Sequence, residues 1–487
     1  MGIHSFPVTT DQTNPANHRT FPTWLTVAAF SILLLIPCFW QSRIQSADLS
    51  SHVYNAWLAS RIRQGAAPGL WISPQTNNIL FDLMLERLFT HAGEDLAQRI
   101  SVAVSVLIFG WGAVILTFRI AGRNWWLAAP CVAMLAYGFI LHMGFFNFYL
   151  SLGLCLWYLA IFWNQRWMIR FLAVPLLMLA WTAHPFPVVW AAGMAAYIAL
   201  AQSIEPRQPL VLPILGFAAL IIVRCILTYK FRYAWSLHQA FFITGANELE
   251  LFGSKYIAPF AALLFIWLNA LRTLIKRIGV ARLVSTISFQ LWLLNAAAVV
   301  LIPDRLFFPR FALPFSSVTD RLSLAAGLMM CCVLAAEPVP RFFKAALPLV
   351  AALFFGLLYA DDRKLNLIED RLDAVVSQVP QESRVISFLQ DRSLRALCVY
   401  HDLDRACIGH CFSYANYEPS SRQFRIRARP NNGIVLDDFA DPDAVANGTY
   451  VIQPRDVPIY LIYPCEKESG NFYLRLLRVG DLDKVPN

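Results

Sequence analysis

Apolar residues in this chain recur in blocks of about 17 to 22, the length at which a helix rising 1.5 Å per residue crosses a hydrocarbon layer of ~30 Å. Backbone groups inside that layer have no water to bond, so each block predicts a helix. Eleven blocks can be drawn, at roughly 21–40, 100–118, 125–143, 146–163, 169–183, 186–202, 209–228, 256–271, 283–302, 321–336 and 345–360. The break inside "WTAHPFPVVW" separates the fifth from the sixth and also fits a re-entrant turn. Composition agrees: 57% of residues are hydrophobic and 15% charged, against roughly 25% charged in soluble proteins. The first block is too long for a signal-peptide core and has no small-x-small cleavage pattern after it.

The charges of the short connections set an orientation. With the N-terminal tail (1–20) in the cytoplasm, the inner connections hold Arg119 and Arg123, Arg166 and Arg170, Arg207, Arg272 to Arg282, and Arg341 with Lys344. Every one is basic, as the positive-inside rule requires, and the C-terminus is then expected outside. The net charge of +9 largely restates this signal. Polar groups gather at the outer helix ends: Asp48 and His52, Asp82 and Glu86, His142 and Asn147, then His184 and His238. Asp304, Arg305, Arg310, Asp320 and Arg321 follow near the ninth and tenth blocks. Ionisable groups at membrane depth are costly and usually functional, so one outer site is expected to use them; longer outer loops would also hold more polar residues. No nucleotide fingerprint or Gly-rich phosphate loop occurs, which leaves nucleotide chemistry on the inner side unsupported, and nothing suggests nucleic-acid binding.

The expected fold class is therefore an α-helical polytopic membrane protein over residues 21–360, with amphipathic outer-face helices in 41–98. After residue 360 the chain becomes charged and turn-rich, and 361–487 predicts an extracytoplasmic α/β or α+β soluble domain. Its β-prone runs are "RVISFL", "ALCVY", "QFRIRA", "TYVIQ", "IYLIY" and "NFYLRLLRV". Cys398, Cys407, Cys411 and Cys465 suit disulfides outside the cytoplasm, or free thiols, and "HDLDRACIGHC" also offers His401, Cys407, His410 and Cys411 to a metal. Cys38, Cys131, Cys155, Cys225, Cys331 and Cys332 fall in apolar blocks and are expected to pack as small apolar residues.

In "ADLSSHVYNAWLASRI", Leu49, Val53, Ala56, Trp57 and Ser60 make a mostly apolar stripe, and Asp48, His52, Asn55 and Arg63 follow the other face. That pattern predicts a helix lying on the outer membrane surface, and "NNILFDLMLERLF" predicts another. Asp48 stands where an N-cap is expected, and its carboxylate is equally placed to act as a base. His184, before Pro185, suits either sugar binding or satisfaction of backbone groups freed at the break. His142 and Asn147 carry the same pair of readings.

An acid just after the first span, two outer surface helices, alternating spans and a final outer domain resemble the GT-C glycosyltransferases. The segments "ADLSSHVYNAWLASRI", "GFFNFYLSLGLCLWYLAIFW", "TAHPFPVVW" and "PFSSVTDRLSLAAGL" are similar to large bacterial membrane proteins of that superfamily, over nearly the whole membrane part. The resemblance implies transfer of a sugar from a polyprenyl-phosphate-linked donor to an extracytoplasmic glycan, lipid or protein, in a bacterial inner membrane. Asp48 matches the catalytic acid of the first outer loop. Many members hold two acids there, adjacent or one residue apart, whereas Leu49 follows Asp48, which argues against a divalent metal; no cofactor is expected.

The chemistry points the same way. A carboxylate takes the proton of the acceptor hydroxyl, and arginine forks neutralise the leaving phosphate. Asp48 is the candidate base, with His52 beside it to orient it or bind sugar. Arg305, Arg310 and Arg321 are candidate phosphate contacts, and His142, Asn147, His184 and Asp320 are further substrate-binding candidates. Two other classes stay open: a lipid or polysaccharide transporter, which would show charges at the midplane and a repeat between halves, and a non-catalytic assembly partner for envelope glycan synthesis.

Overall fold

The apolar blocks fold as helices in a computed structural model that describes residues 24–121, 125–203, 210–336, 341–389, 394–466 and 472–480. In chain order, α1 is Trp24–Phe39, α2 Leu49–Arg63, α3 Leu80–Ala121, α4 Trp125–Ala136, α5 Phe139–His142 and α6 Phe146–Phe162. Next come α7 Trp167–Leu172, α8 Val174–Ala183, α9 Pro185–Ser203, α10 Val211–Lys230 and α11 Ile257–Ile278. The set closes with α12 Val280–Val284, α13 Ile287–Leu301, α14 Val318–Ala335 and α15 Arg341–Val376, then the short α16 Asp402–Ala406, α17 Tyr417–Ser421 and α18 Ala440–Ala446. Six of these helices are long and apolar enough to cross a membrane, and five shorter apolar helices accompany them. The protein is thus a helical membrane protein. Arg123, Arg207 and the N-terminal tail lie outside the described residues, as does the side chain of Arg341.

Local sequence explains the helix ends. Gly93 takes φ 78° and ψ 177°, kinking the long α3 between the helices expected over "NNILFDLMLERLF" and 100–118. His184 is extended, at φ −161°, and Pro185 opens α9 at the first helical position, where its missing N–H costs nothing. The crossing of α3 and α6 is close: a Cβ on Gly153 would sit 2.9 Å from the Phe109 backbone. Small residues at such a crossing let two helices approach to backbone contact.

The composition change at residue 361 falls inside one unbroken helix, α15. Its second half binds the chain that follows α1: the Trp40 indole donates to Asp362 Oδ2 at 2.9 Å, and Arg43 reaches Asp370 at 2.7 Å and also Asp373. Beyond α15 a four-stranded sheet forms, from β4 Arg384–Ser387, β5 Phe412–Ser413, β7 Ile459–Glu466 and β8 Phe472–Val479, in the order β5-β4-β7-β8. β7 pairs antiparallel with β8, and the other two pairings are parallel. Three of the β-prone runs therefore join this sheet. "QFRIRA" instead forms β6, Ile426–Ala428, which pairs antiparallel with β1, Leu70–Ile72, in the connection between α2 and α3. The remaining pair, β2 Arg232–Ala234 with β3 Arg305–Phe307, is antiparallel. "ALCVY" runs into a 3₁₀ turn, Cys398–His401, and "TYVIQ" is not a strand.

The surface-helix expectation for α2 needs correction. Its apolar Leu49, Val53 and Leu58 are buried, and so are the polar Ser50, Ser51 and Asn55. Both sides are docked: on the polar face Asn416 donates to Asn55 Oδ1 at 2.9 Å, and on the opposite side Arg405 of α16 donates to Ser50 Oγ at 2.7 Å. Cys407 and Cys411 form a disulfide just after α16, Cys398 is buried and free, and the Cys465 side chain lies outside the described residues. That bond takes both thiols from the metal set considered with His401 and His410, and His410 Nε2 instead lies 2.6 Å from the Val379 carbonyl. Of the cysteines in apolar blocks, Cys225 is exposed on α10 and the others are buried.

Candidate functional site

A cavity of about 920 Å³ gathers side chains from five stretches of chain: α2 with the start of α3, the α5–α6 turn, the α8–α9 junction, the β3–α14 connection, and the segment 397–443. The apolar part of the lining includes Phe186, Val189, Phe308, Phe311, Leu313 and Phe315. The polar part includes Asp48, His52, Asp82, His401 and Glu418.

Asp48 occupies the N-cap position of α2, yet its side chain makes no capping hydrogen bond. Its backbone is set by the α5–α6 turn: the Ala47 N–H donates to the His142 carbonyl at 2.8 Å. Gly144, at φ +81°, lets the turn come this close, since a Cβ there would stand 2.5 Å from the Asp48 amide nitrogen. The carboxylate is 24% exposed, and its nearest cationic partner is His401, with Nε2 3.7 Å from Oδ1. Burial pushes the Asp48 carboxyl above its ordinary value, against the pull of His401, His52 and Arg321. A carboxylate displaced upward is a stronger base, which suits proton abstraction near neutral pH.

His52 sits one turn along α2. Its Nδ1 lies 2.6 Å from Asp82 Oδ1, and Asn147 donates to the other Asp82 oxygen at 2.7 Å. Asn147 Oδ1 also accepts the Phe81 N–H at 2.9 Å, satisfying an orphan donor in the first turn of α3. Burial would lower the His52 pKa, but Asp82, Glu418 and Asp48 outweigh it and raise it to about 9. Glu418, on α17, accepts from Ser51 at 3.4 Å and is pushed up to about 8 by burial and by the neighbouring Asp82 and Asp48.

Arg321 enters on the first turn of α14. Asp304 caps that turn, accepting from the Thr319 N–H at 3.3 Å and from its hydroxyl. The guanidinium lies over three rings, 4.1 Å from Phe145 and 5.0 Å from both Phe148 and Phe315. It is 8% exposed, its Nε is buried without a hydrogen-bond partner, and among the described residues no carboxylate pairs with it. Arg305 lines the same cavity, largely exposed, 3.9 Å from Asp304. His184 Nδ1 accepts the Phe186 N–H at 3.1 Å, so its proton belongs on Nε2. The backbone role weighed for His184 is thus present, in a residue that also lines the cavity.

The cavity thus brings together Asp48, His52, Asn147, His184, Arg305 and Arg321. Three expected binding residues do not line it. His142 is buried against Phe252 with Nδ1 3.1 Å from the Gly138 carbonyl, and contributes only its own carbonyl, to Ala47. Asp320 is turned to Arg395, which donates to it at 2.6 Å. Arg310 is exposed on the turn beyond β3. The C-terminal segment supplies what the reading of the outer loops left out: His401, Tyr417 and Glu418. The signal for His401 was present in "HDLDRACIGHC", where it precedes Asp404 by one helical turn, but it pointed to a metal. Comparison with family models, curated proteins and solved structures gives no match.

The arrangement sets an uncapped carboxylate and a buried, unpaired guanidinium on one cavity with an apolar wall. Asp48, Asp320 and Asp304 act on Arg321 only from beyond ion-pair contact, which leaves its buried guanidinium able to take an anion at closer range. Chemically, such a cavity can accommodate an amphiphile that carries an anionic group.

Proposed function

We propose that this protein is a membrane glycosyltransferase that moves a sugar from a polyprenyl-phosphate-linked donor to an extracytoplasmic acceptor. The observation that carries the reading is the pairing, on one cavity, of Asp48 without a capping bond and Arg321 without a carboxylate. The prenyl chain suits the apolar wall, and the phosphate completes Arg321, with Arg305 near it. Asp48 takes the proton of the acceptor hydroxyl as that oxygen attacks the anomeric carbon. The bond from that carbon to the phosphate oxygen breaks, and the leaving polyprenyl phosphate carries its charge against Arg321. Asp48 then returns the proton to water. In this reading all eleven apolar helices cross a bacterial inner membrane, the N-terminus is cytoplasmic, and the chain after α15 is the periplasmic domain.

The test is sugar transfer by purified protein, wild type against Asp48→Asn, with thermal unfolding measured alongside. Asp48→Asn is expected to fold and to lose turnover by a factor of ~10² to 10⁴. Equal transfer from two equally stable proteins would remove Asp48 as the base. A wild type inactive with every polyprenyl-phosphate donor would reject the transferase reading.

A further inference from the structure

We propose that His401, held from behind by Asp404, is the positioning residue for Asp48: it fixes the direction of the carboxylate and keeps it ionised until the acceptor arrives. The function assigned to it rests on the reading of Asp48 as the base; the contact itself does not. His401 Nε2 is 3.7 Å from Asp48 Oδ1, and Nδ1 is 3.2 Å from Asp404 Oδ2. The other Asp404 oxygen accepts the Ser413 hydroxyl, and the Ser413 N–H donates to the Tyr54 hydroxyl at 3.1 Å. A line of contacts thus runs from the cavity through His401 and Asp404 to the edge strand β5. The imidazole cannot swing away, because Tyr400 meets it edge-on at 4.5 Å and Tyr417 lies tilted over it at 5.0 Å. His401 and Asp404 are both buried.

Asp48 needs such a partner. Its side chain forms no cap, so backbone N–H groups do not hold its rotamer. The other charged groups around it are His52 and Arg321, which favour the carboxylate, and Asp404, which opposes it; Glu418 and Tyr417 also interact with it. His52 is engaged by Asp82 at 2.6 Å, and Arg321 is enclosed by three rings. His401 is the cationic group that faces Asp48 at ion-pair distance among the described residues. Removing its charge raises the pH at which Asp48 becomes an anion, whereas removing the Asp404 carboxylate would also remove a like charge that opposes that anion, so the test is made at His401.

The test titrates Asp48 directly in full-length protein in lipid nanodiscs. The infrared carboxyl band that disappears in Asp48→Asn is followed against pH in wild type, His401→Gln and His401→Asn. The midpoint is expected to rise by about one pH unit in both variants, which lack the imidazolium. An unchanged midpoint in a folded variant overturns the proposal, and His401→Asn decides it alone if His401→Gln fails to fold. Transfer assays form a separate arm, in which the acid limb of the rate profile should move with the band. Wild-type transfer by Asp48→Asn would reject the base reading and leave the titration result standing.

Discussion

Individual side chains around the cavity hold protons that the unfolded chain would release, and this gives a stability signature. His52 rises from 6.5 to about 9 because its carboxylate neighbours, Asp82 first, outweigh burial. A raised histidine stabilises fully below its unfolded value, and the contribution is lost as pH climbs through the folded one. Glu418 rises from 4.5 to about 8 through burial, so the fold favours its protonated form, and this contribution too vanishes as pH rises through 8. Both act in the same direction, and for His52 the limit is of order 3 kcal/mol. The melting temperature is therefore expected to fall between pH 6.5 and 9, and to fall less in Glu418→Gln, which cannot ionise. A melting temperature constant over that window would reject the assignment. At this scale the sequence revealed residue types at helix ends but not their partners. Asp48 and His52 stood out as polar groups one turn apart, whereas Asp82 and His401, 30 and 353 positions from the groups they face, are joined to them only by the fold.

Among the elements, α16 has an influence out of proportion to its five residues. Arg405 ties it to four others: Ser50 on α2 at 2.7 Å, Ile44 before it at 3.2 Å, Gln98 on α3 at 3.3 Å and Glu369 on α15 at 3.6 Å. Removing one partner from such a buried network leaves the others unpaired, at a cost of about 3–5 kcal/mol. Arg405→Met should lower the melting temperature accordingly and reduce transfer, since His401 and Asp404 move with α16. Arg455→Met, at a half-exposed arginine paired with Asp437, Asp441 and Asp456, should cost less than Arg405→Met, because solvent screens its pairs. Equal melting temperatures for the two variants would show that α16 is not the tie. The helical elements were legible because a long apolar run leaves little choice of structure. The β-prone runs were less so: "ALCVY" has strand composition, but the chain is turning there to dock α16. The polar face of α2 read as solvated because periodicity shows that two faces differ, not what covers each.

On the scale of the whole molecule, the cavity carries information about topology. In the proposed reading, where all eleven apolar helices span, connections between successive helices alternate between the two ends of the bundle. Cavity residues come from those after the first, third, fifth and ninth apolar helices, and from the chain after the eleventh. Among the described residues none comes from an even-numbered connection. A site assembled only from odd connections is what one shared end requires, and it is the end opposite the basic connections around Arg166 and Arg277. The unbroken α15 carries the chain from the basic end to the cavity end, which is why residues 397–443 are within reach of Asp48. The expected outcome follows for reporters active on one side of the membrane only. A fusion at Arg277 should report the cytoplasm and a fusion at the C-terminus the opposite side, while one at Ser236, in the connection after the seventh helix, should agree with the C-terminus. Arg277 and the C-terminus on the same side would overturn the orientation and, with it, delivery of a lipid-linked donor to the cavity from the outer leaflet.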